Sequence, residues 1–466
     1  MKSYDLVILG SGSAAFAAAI KASELGARVA MTEHDVIGGT CVNRGCIPSK
    51  TLIAAAELAY KANRSPFDGL RFENPRLDFR RLIAQKDELV KTLRAKKYTD
   101  IAEEDPNIEI LPGQARFVSP TEVQLNGTAL RAERSLIATG SRPFIPPIPG
   151  LEEVRYLTST SAFELEELPR SLIIIGGGYI AMELGQMFQR FGTRVTILER
   201  APRILPGFEE EISLALRGYL EEEGIEIVTQ STVQRVRRQG EEAVVSADVQ
   251  GERREFRTHS LLLATGRVPN SDQLHLEQAG VQVDERRFVK VDAELRTTAV
   301  KIWAAGDVTG APLATPVGAR EGIIAAENAI AERHLRMDYR AIPRAVFTDP
   351  EVASVGLTEA QAEAQGFRCR CRILDLSLVP KAAAIRDTRG LVKMVIDQET
   401  GQVLGVHLIA PRGADIIHEA ALAVKHRLTH LDLIDLIHVY PTMAEAIRMA
   451  AQMFVKDVSK LSCCAE

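Results

Sequence analysis

Uninterrupted apolar runs, punctuated by glycine turns, organise the first two thirds of the chain. Residues 4–9 read as a buried strand, 13–25 as an alanine-rich helix closing at Gly26, and 28–33 as a second strand. The same order returns at 171–175, 176–191 and 194–199, with Gly176 standing 166 positions after Gly10. So long a period is unsuited to a solenoid and suited to two nucleotide-binding units. Each copy has a later apolar echo, Leu136-Ile137-Ala138-Thr139-Gly140 and Leu262-Leu263-Ala264-Thr265-Gly266. A proline-rich stretch at 142–149 marks a crossing between units. From about Ala341 the texture changes: 391–396 and 403–409, joined by 397–401, predict an antiparallel hairpin, and helical patterns follow over 414–458. The expected fold is α/β, with two doubly wound nucleotide-binding domains (1–150 with 271–340, and 151–270) and a C-terminal α+β domain over 341–466.

Composition narrows the functions open to this fold. The 466 residues are 46% hydrophobic and 26% charged, ordinary for a globular protein, and the net charge of −5 offers no broad basic field for nucleic acid or an acidic membrane. The apolar start is interrupted by Asp5 and Glu24, so it reads as strand, turn and helix and not as an export leader, and no run is long enough to span a bilayer. Six cysteines without an export signal suggest a reducing cytoplasm, where a disulfide is catalytic more often than structural.

Candidate chemistry sits on the turns. Gly10-x-Gly12-x-x-Ala15 lies between a strand and a helix: the first glycine permits the turn, the second lets a pyrophosphate approach, and Ala15 allows close packing. Glu33, ending the next strand, is placed to accept from ribose hydroxyls. Gly176-x-Gly178-x-x-Ala181 repeats the device with Glu199 as its acid. A carboxylate there favours NADH, whereas the adjacent Arg200 and Arg203 suit the 2′-phosphate of NADPH, so the nicotinamide stays open. Cys41 and Cys46, five apart after a Gly-Gly turn and before an apolar helical run, have no Cys or His partners at zinc spacing nearby. A helix N-terminus at Cys46, with Lys50 one turn on, lowers a thiol pKa. Cys369 and Cys371 flank Arg370 on a predicted strand, on one face, and read as structural.

The run Gly39-Thr40-Cys41 through Lys50, the two fingerprints and Ala304-Ala305-Gly306-Asp307 resemble the pyridine nucleotide-disulfide oxidoreductases over essentially the full chain. The resemblance implies FAD on the first domain, held by Gly10, Gly12, Ala15, Glu33, Gly39, Thr40, Lys50 and Gly140 and completed by Asp307. It implies NADPH or NADH on the second, held by Gly176, Gly178, Ala181, Glu199, Arg200 and Gly266, with the C-terminal domain as a dimerisation unit. Cys46 would be the thiol against the flavin, Cys41 the interchange thiol, Lys50 the partner of Glu183, and Tyr179 the gate over the nicotinamide pocket.

Two departures point to a metal-reducing branch. Disulfide-reducing relatives carry a His-Pro pair followed by a glutamate, where this chain has Tyr440-Pro441 and Glu445, with His438 two residues earlier. A phenol of pKa near 10 is a poor acid–base group at neutral pH. The tail ends Ser462-Cys463-Cys464, which resembles the end of the mercuric reductases. Adjacent α-carbons lie about 3.8 Å apart, below the roughly 4.4–6.8 Å of an ordinary disulfide, so two such thiols suit a shared soft metal better than a bond. The expectation is NAD(P)H-driven reduction of Hg(II) to Hg(0), with Cys41, Cys46, Cys463 and Cys464 as metal ligands and Tyr440 shaping the pocket. A homodimer with an active site shared between subunits follows if the tail serves the opposite chain. The chain begins directly at its first fingerprint strand, so Hg(II) is expected on small thiols, or from a transporter or organomercurial lyase upstream. The alternatives are a thioredoxin-reductase-like or lipoamide-dehydrogenase-like enzyme, and a flavoprotein that sequesters metal without turnover.

Overall fold

The computed structural model describes residues 2–73 and 76–460, so Cys463 and Cys464 lie outside the described residues. Two five-stranded parallel sheets form the frame. In the first, the order across the sheet is Ile302–Ala304, Ser135–Ile137, Leu6–Leu9, Val29–Glu33 and Ile108–Pro112. In the second it is Tyr156–Thr158, Ser260–Leu263, Ser171–Ile175, Arg194–Leu198 and Glu226–Val228. Both sheets are covered on both faces, which is why their strands read as continuous apolar runs.

The coverings differ from face to face. Leu6 and Ile8 point towards the alanine-rich helix Ser13–Glu24 and the helix Thr315–Ala331, while Val7 and Leu9 point towards the antiparallel strands Ala115–Ser119, Glu122–Leu125 and Thr128–Ala132. Small residues let the two helices close on each other: a Cβ at Gly322 would sit 2.1 Å from the Ala14 carbonyl oxygen. The second sheet repeats this scheme. Leu172 and Ile174 face the helices Tyr179–Arg190 and Glu210–Glu222, and Ile173 and Ile175 face the meander Ser231–Gln239, Glu242–Val249 and Glu252–Thr258. The proline-rich crossing becomes a ribbon in which Ser141–Pro143 pairs antiparallel with Arg267–Pro269.

The C-terminal sheet is antiparallel, ordered Arg344–Val346, Glu351–Gly356, Val403–Ala410, Leu391–Asp397 and Cys369–Asp375. The predicted hairpin is its centre. One face carries the helices Gly413–His426 and Glu445–Gln452. The other joins the core of the second parallel sheet through Val346, Val352 and Ile409. Buried charge fixes that junction, since Arg190 meets Glu223 at 2.6 Å and Asp349 at 3.0 Å. No helix among the described residues is long and apolar enough to cross a membrane.

Candidate active site

The strand Leu6–Leu9 runs into Gly10, whose φ is +119° and where a Cβ would lie 2.3 Å from the Ala138 carbonyl oxygen, so only glycine fits. Gly12 then caps the helix Ser13–Glu24, and Ala15 is fully buried beneath it. Glu33 is held by the Ser11 hydroxyl at 2.6 Å and the Asp35 amide at 2.7 Å. Gly10, Gly12, Glu33, Gly39, Thr40 and Gly140 all line one cleft of about 420 Å³, within the range of small-molecule sites. Asp307 accepts from the Ser141 hydroxyl at 2.6 Å and lies 3.8 Å from Arg267, two residues that also line that cleft. Backbone donors at a helix start, an anchored acid to accept from ribose hydroxyls and an open floor of glycines are what a dinucleotide requires.

The turn at Gly38 and Gly39 delivers the cysteines to the same place. Gly39 has φ +67°, and a Cβ on it would stand 2.7 Å from the Cα of Gly12. Two glycines in contact therefore lock the cysteine segment onto the fingerprint. The short helix Gly39–Arg44 carries Cys41, breaks at Gly45, and the helix Cys46–Asn63 opens on Cys46 itself. Across from it the helix Thr315–Ala331 opens on Thr315, whose hydroxyl is 3.7 Å from the Cys46 sulfur. Cys46 thus lies at the start of one helix and beside the start of another, where partial positive charge favours an anion.

Lys50 completes the local field. Its ammonium donates to Glu183 at 2.7 Å and stands 4.5 Å from the centre of the Phe347 ring, while Glu183 also accepts the Phe347 amide at 3.0 Å. Glu183 is 5% exposed, so this ion pair fixes the first unit against the second. The Cys46 thiol is lowered to about 6, chiefly by the hydrogen bond from Cys41 and further by Thr315 and Lys50, against the opposing effect of burial. Cys41 moves the other way, well above an ordinary thiol, because of that same hydrogen bond and its own burial. One sulfur is a thiolate at neutral pH and its neighbour keeps a proton.

The second fingerprint has the same turn and a different neighbour. Gly176 has φ +111°, with a Cβ there 2.4 Å from the Ala264 carbonyl oxygen. Gly178 caps the helix Tyr179–Arg190 with nothing within 4 Å of its missing side chain, Ala181 is buried, and Tyr179 is 43% exposed beside it. Glu199 is buried against Gly177 and accepts the Ala201 amide at 2.6 Å. Arg200 is exposed, whereas Arg203 donates to the carbonyls of Phe208 at 3.2 Å and Pro206 at 3.4 Å. Gly266 follows the strand Ser260–Leu263 at φ +115°, as Gly140 follows Ser135–Ile137 at φ +69°.

Within one chain, Cys41, Cys46, Lys50 and Glu183 come together, with Asp307 near them. Tyr440 and Glu445 belong instead to the C-terminal unit. Tyr440 is 45% exposed, and Glu445 is buried at the start of its helix, accepting the Thr442 amide at 3.2 Å. His438 is engaged elsewhere, its Nε2 3.0 Å from Glu419 and its Nδ1 3.0 Å from the Leu436 carbonyl. Thr315, Phe347, Ser141 and Arg267 escape sequence reasoning. Only Thr315 had a local signal, a Thr-Pro pair opening a helical run.

Residues 4–332 match the family model for pyridine nucleotide-disulphide oxidoreductases, and residues 342–451 match the dimerisation domain of the same family. The chain is 47% identical over 468 residues to a mercuric reductase of Streptomyces lividans, covering 99% of this chain and 98% of the relative. It is 45% identical over 462 residues to one of Lysinibacillus sphaericus, covering 99% and 84%. Among solved structures, the Cu(II) complex of the HOCl-induced flavoprotein disulfide reductase RclA from Escherichia coli superposes with a TM-score of 0.88 at 33% identity, covering 98% of this chain and 100% of that one. The chain belongs to the pyridine nucleotide-disulphide oxidoreductase family.

Proposed function

We propose that this protein reduces Hg(II) to Hg(0) with electrons from NADPH or NADH, through FAD and the Cys41–Cys46 pair. The observation that carries the reading is full-length similarity to mercuric reductases, and the setting of Cys46 at one helix start and beside another supports it. FAD, when bound, relays the electron pair from the nicotinamide to the thiol site. The first unit (1–150 with 271–340) would hold it through Gly10, Gly12, Glu33, Gly140 and Asp307, and the second (151–270) would hold the nicotinamide behind Tyr179.

Hg(II) arrives as a complex of small thiols. The Cys46 thiolate displaces one of them, and Cys41 passes its proton to the second as it departs, leaving the ion between two protein sulfurs. Two electrons then discharge the metal, and both sulfurs are left as anions beside two helix starts and the Lys50 ammonium. The Lys50–Glu183 pair keeps that positive charge in place. Atomic mercury has little affinity for thiolates and leaves. Cys463 and Cys464 would hand the ion inward from the tail, and Tyr440 and Glu445 would shape the partner subunit's pocket in a homodimer built on residues 342–451.

The test is Hg(II)-dependent oxidation of NADH and NADPH under excess thiol, with volatile metal collected. Stoichiometric Hg(0) is expected. Nicotinamide consumption without volatile product, or activity only with a disulfide substrate, overturns the reading in favour of a disulfide reductase. Tight binding without any nicotinamide consumption makes the protein a metal store. In the Cys463→Ala/Cys464→Ala variant, turnover should fall mainly when competing thiols are abundant.

A further inference from the structure

One thiol pair takes no part in this chemistry. Cys369 and Cys371 lie on the edge strand Cys369–Asp375 of the C-terminal sheet, both half-buried and on one face of that strand. The fold brings a carboxylate to them: Glu359, at the start of the helix Glu359–Ala364, places its oxygen within 4.8 Å of both sulfurs, which are themselves no farther apart. Two sulfurs each about 2.3 Å from one soft cation stand about 3.8 Å apart in tetrahedral geometry and about 4.6 Å apart when opposite each other, so the observed spread fits a shared ion. A disulfide suits them less well. Alternate residues of a strand are about 6.6 Å apart at Cα, at the upper edge of the roughly 4.4–6.8 Å that disulfides span.

Two features make this more than a chance meeting. First, Glu359 is held in place. Thr358 closes a capping box with Gln361, and the Glu359 amide donates to Glu209 at 2.7 Å. Second, its charge is surplus. The buried Lys393 ammonium meets Glu359 at 2.7 Å, Glu209 at 3.1 Å and Glu211 at 2.9 Å, three carboxylates around one cation. Losing Glu359 to a metal leaves Lys393 doubly paired, and the local excess of negative charge attracts a further cation. The Cys371 sulfur and a Glu359 carboxylate oxygen are neighbours within 4.8 Å, so a cation between them would take the place of the thiol proton. His407, near the same network at 3.9 Å from Glu209, is buried and committed to Ser354 at 2.7 Å and the Leu357 carbonyl at 3.0 Å, so it does not compete for the site.

We propose that Cys369, Cys371 and Glu359 bind one soft, thiophilic divalent cation at the edge of the C-terminal sheet, apart from the redox pair. Loading is a ligand exchange: each thiol gives its proton to a departing small thiolate or to buffer, two metal–sulfur bonds form, and nothing is oxidised or reduced. The inference stands independently of mercury turnover.

The chain has six cysteines, so the FAD-loaded variant Cys41→Ala/Cys46→Ala/Cys463→Ala/Cys464→Ala retains only this pair. Titrated with Cd(II), which requires no turnover, it is expected to take up one ion per chain with a thiolate-to-metal charge-transfer band. Adding Cys371→Ser should abolish the band. Adding Glu359→Gln, which keeps both thiols and the shape of the side chain, should weaken binding about tenfold or more. Absence of the band in the four-alanine protein overturns the proposal. So does a half-equivalent that grows with protein concentration, since that reports bridging between molecules, and so does affinity indifferent to Glu359→Gln.

Discussion

The two nucleotide-binding units share a frame and differ in what stands over the second fingerprint glycine. In the first unit Gly12 is met by Gly39, so closely that a Cβ on Gly39 would lie 2.7 Å from the Gly12 Cα. In the second, a Cβ added to Gly178 would meet no atom of another segment within 4 Å. The chain leaving the second strand explains the contrast. After Val29–Glu33 it turns back over the fingerprint and becomes the cysteine helix; after Arg194–Leu198 it passes through the Arg200–Arg203 loop to the helix Glu210–Glu222. A covered turn suits a resident cofactor and an open one suits a ligand that comes and goes. In the proposed function, one duplicated unit would supply a permanent redox centre and the other its refuelling port.

The sharpest way to break this contrast is to add one methyl group to each unit. Gly39→Ala must either clash with Gly12 or move the cysteine helix, and it forces alanine to φ +67°. Backbone strain alone costs about 1–3 kcal/mol, and the displaced turn opens the cleft. The purified variant should carry substoichiometric FAD and a lowered melting temperature. Gly178→Ala sits at φ −80° in open space, so stability should stay within about 0.5 kcal/mol of wild type. Its flavin content should be normal, with the KM for NAD(P)H raised about tenfold or more because the methyl fills the pyrophosphate approach. Equal flavin loss in both variants would erase the distinction between the units.

A second prediction concerns charge at the covered turn. Cys46 titrates near 6, so alkylation of the reduced enzyme by iodoacetamide should rise with pH through that value and level off above 7. The sign follows from what stabilises the anion. Removing a hydrogen-bond donor or a cation favours the protonated thiol, moves the midpoint up and slows alkylation at pH 7. Thr315→Ala should shift it more than Lys50→Met, following the size of their contributions. An upward shift of about one unit cuts the thiolate fraction at pH 7 from roughly nine-tenths to about half. A midpoint unmoved in both variants would leave Cys41 as the sole origin of the lowered value.

Much of this organisation is legible in the residues, for identifiable reasons. Parallel strands covered on both faces must be apolar throughout, so Leu6–Leu9 and Ser171–Ile175 stand out, and Gly10 and Gly176 are forced by carbonyls 2.3 and 2.4 Å from their missing Cβ atoms. The helix start near Cys46 follows from the apolar helical run after it. The meanders at 115–132 and 231–258 are harder to see because one face is polar, as in Glu252–Thr258, which is exposed except at Phe256 and Thr258. Thr315 and Phe347 stay hidden because their contacts with Cys46 and Lys50 bridge hundreds of residues, which no local pattern encodes. Glu359 is hidden in the same way. The strand pattern shows that Cys369 and Cys371 share a face, and only the tertiary fold shows what that face meets.

The smallest expected effect tests the open unit. Arg200 and Arg203 both follow the acid Glu199, and as residues in a sequence they are equal candidates for a 2′-phosphate. The fold separates them: Arg203 is occupied by the carbonyls of Pro206 and Phe208, while Arg200 is exposed. An exposed arginine–phosphate contact contributes about 1 kcal/mol after solvent screening. Arg200→Ala should therefore raise the KM for NADPH about fivefold and leave that for NADH nearly unchanged, with kcat unaltered for both. Arg203→Ala should lower thermal stability instead, because it frees two carbonyls of the loop that leads into the helix Glu210–Glu222. If Arg203→Ala, and not Arg200→Ala, shifts the NADPH to NADH ratio, the loop must reorganise when the nicotinamide binds. The open unit would then be shaped by its ligand, in contrast to the covered one, whose second fingerprint glycine is packed against Gly39.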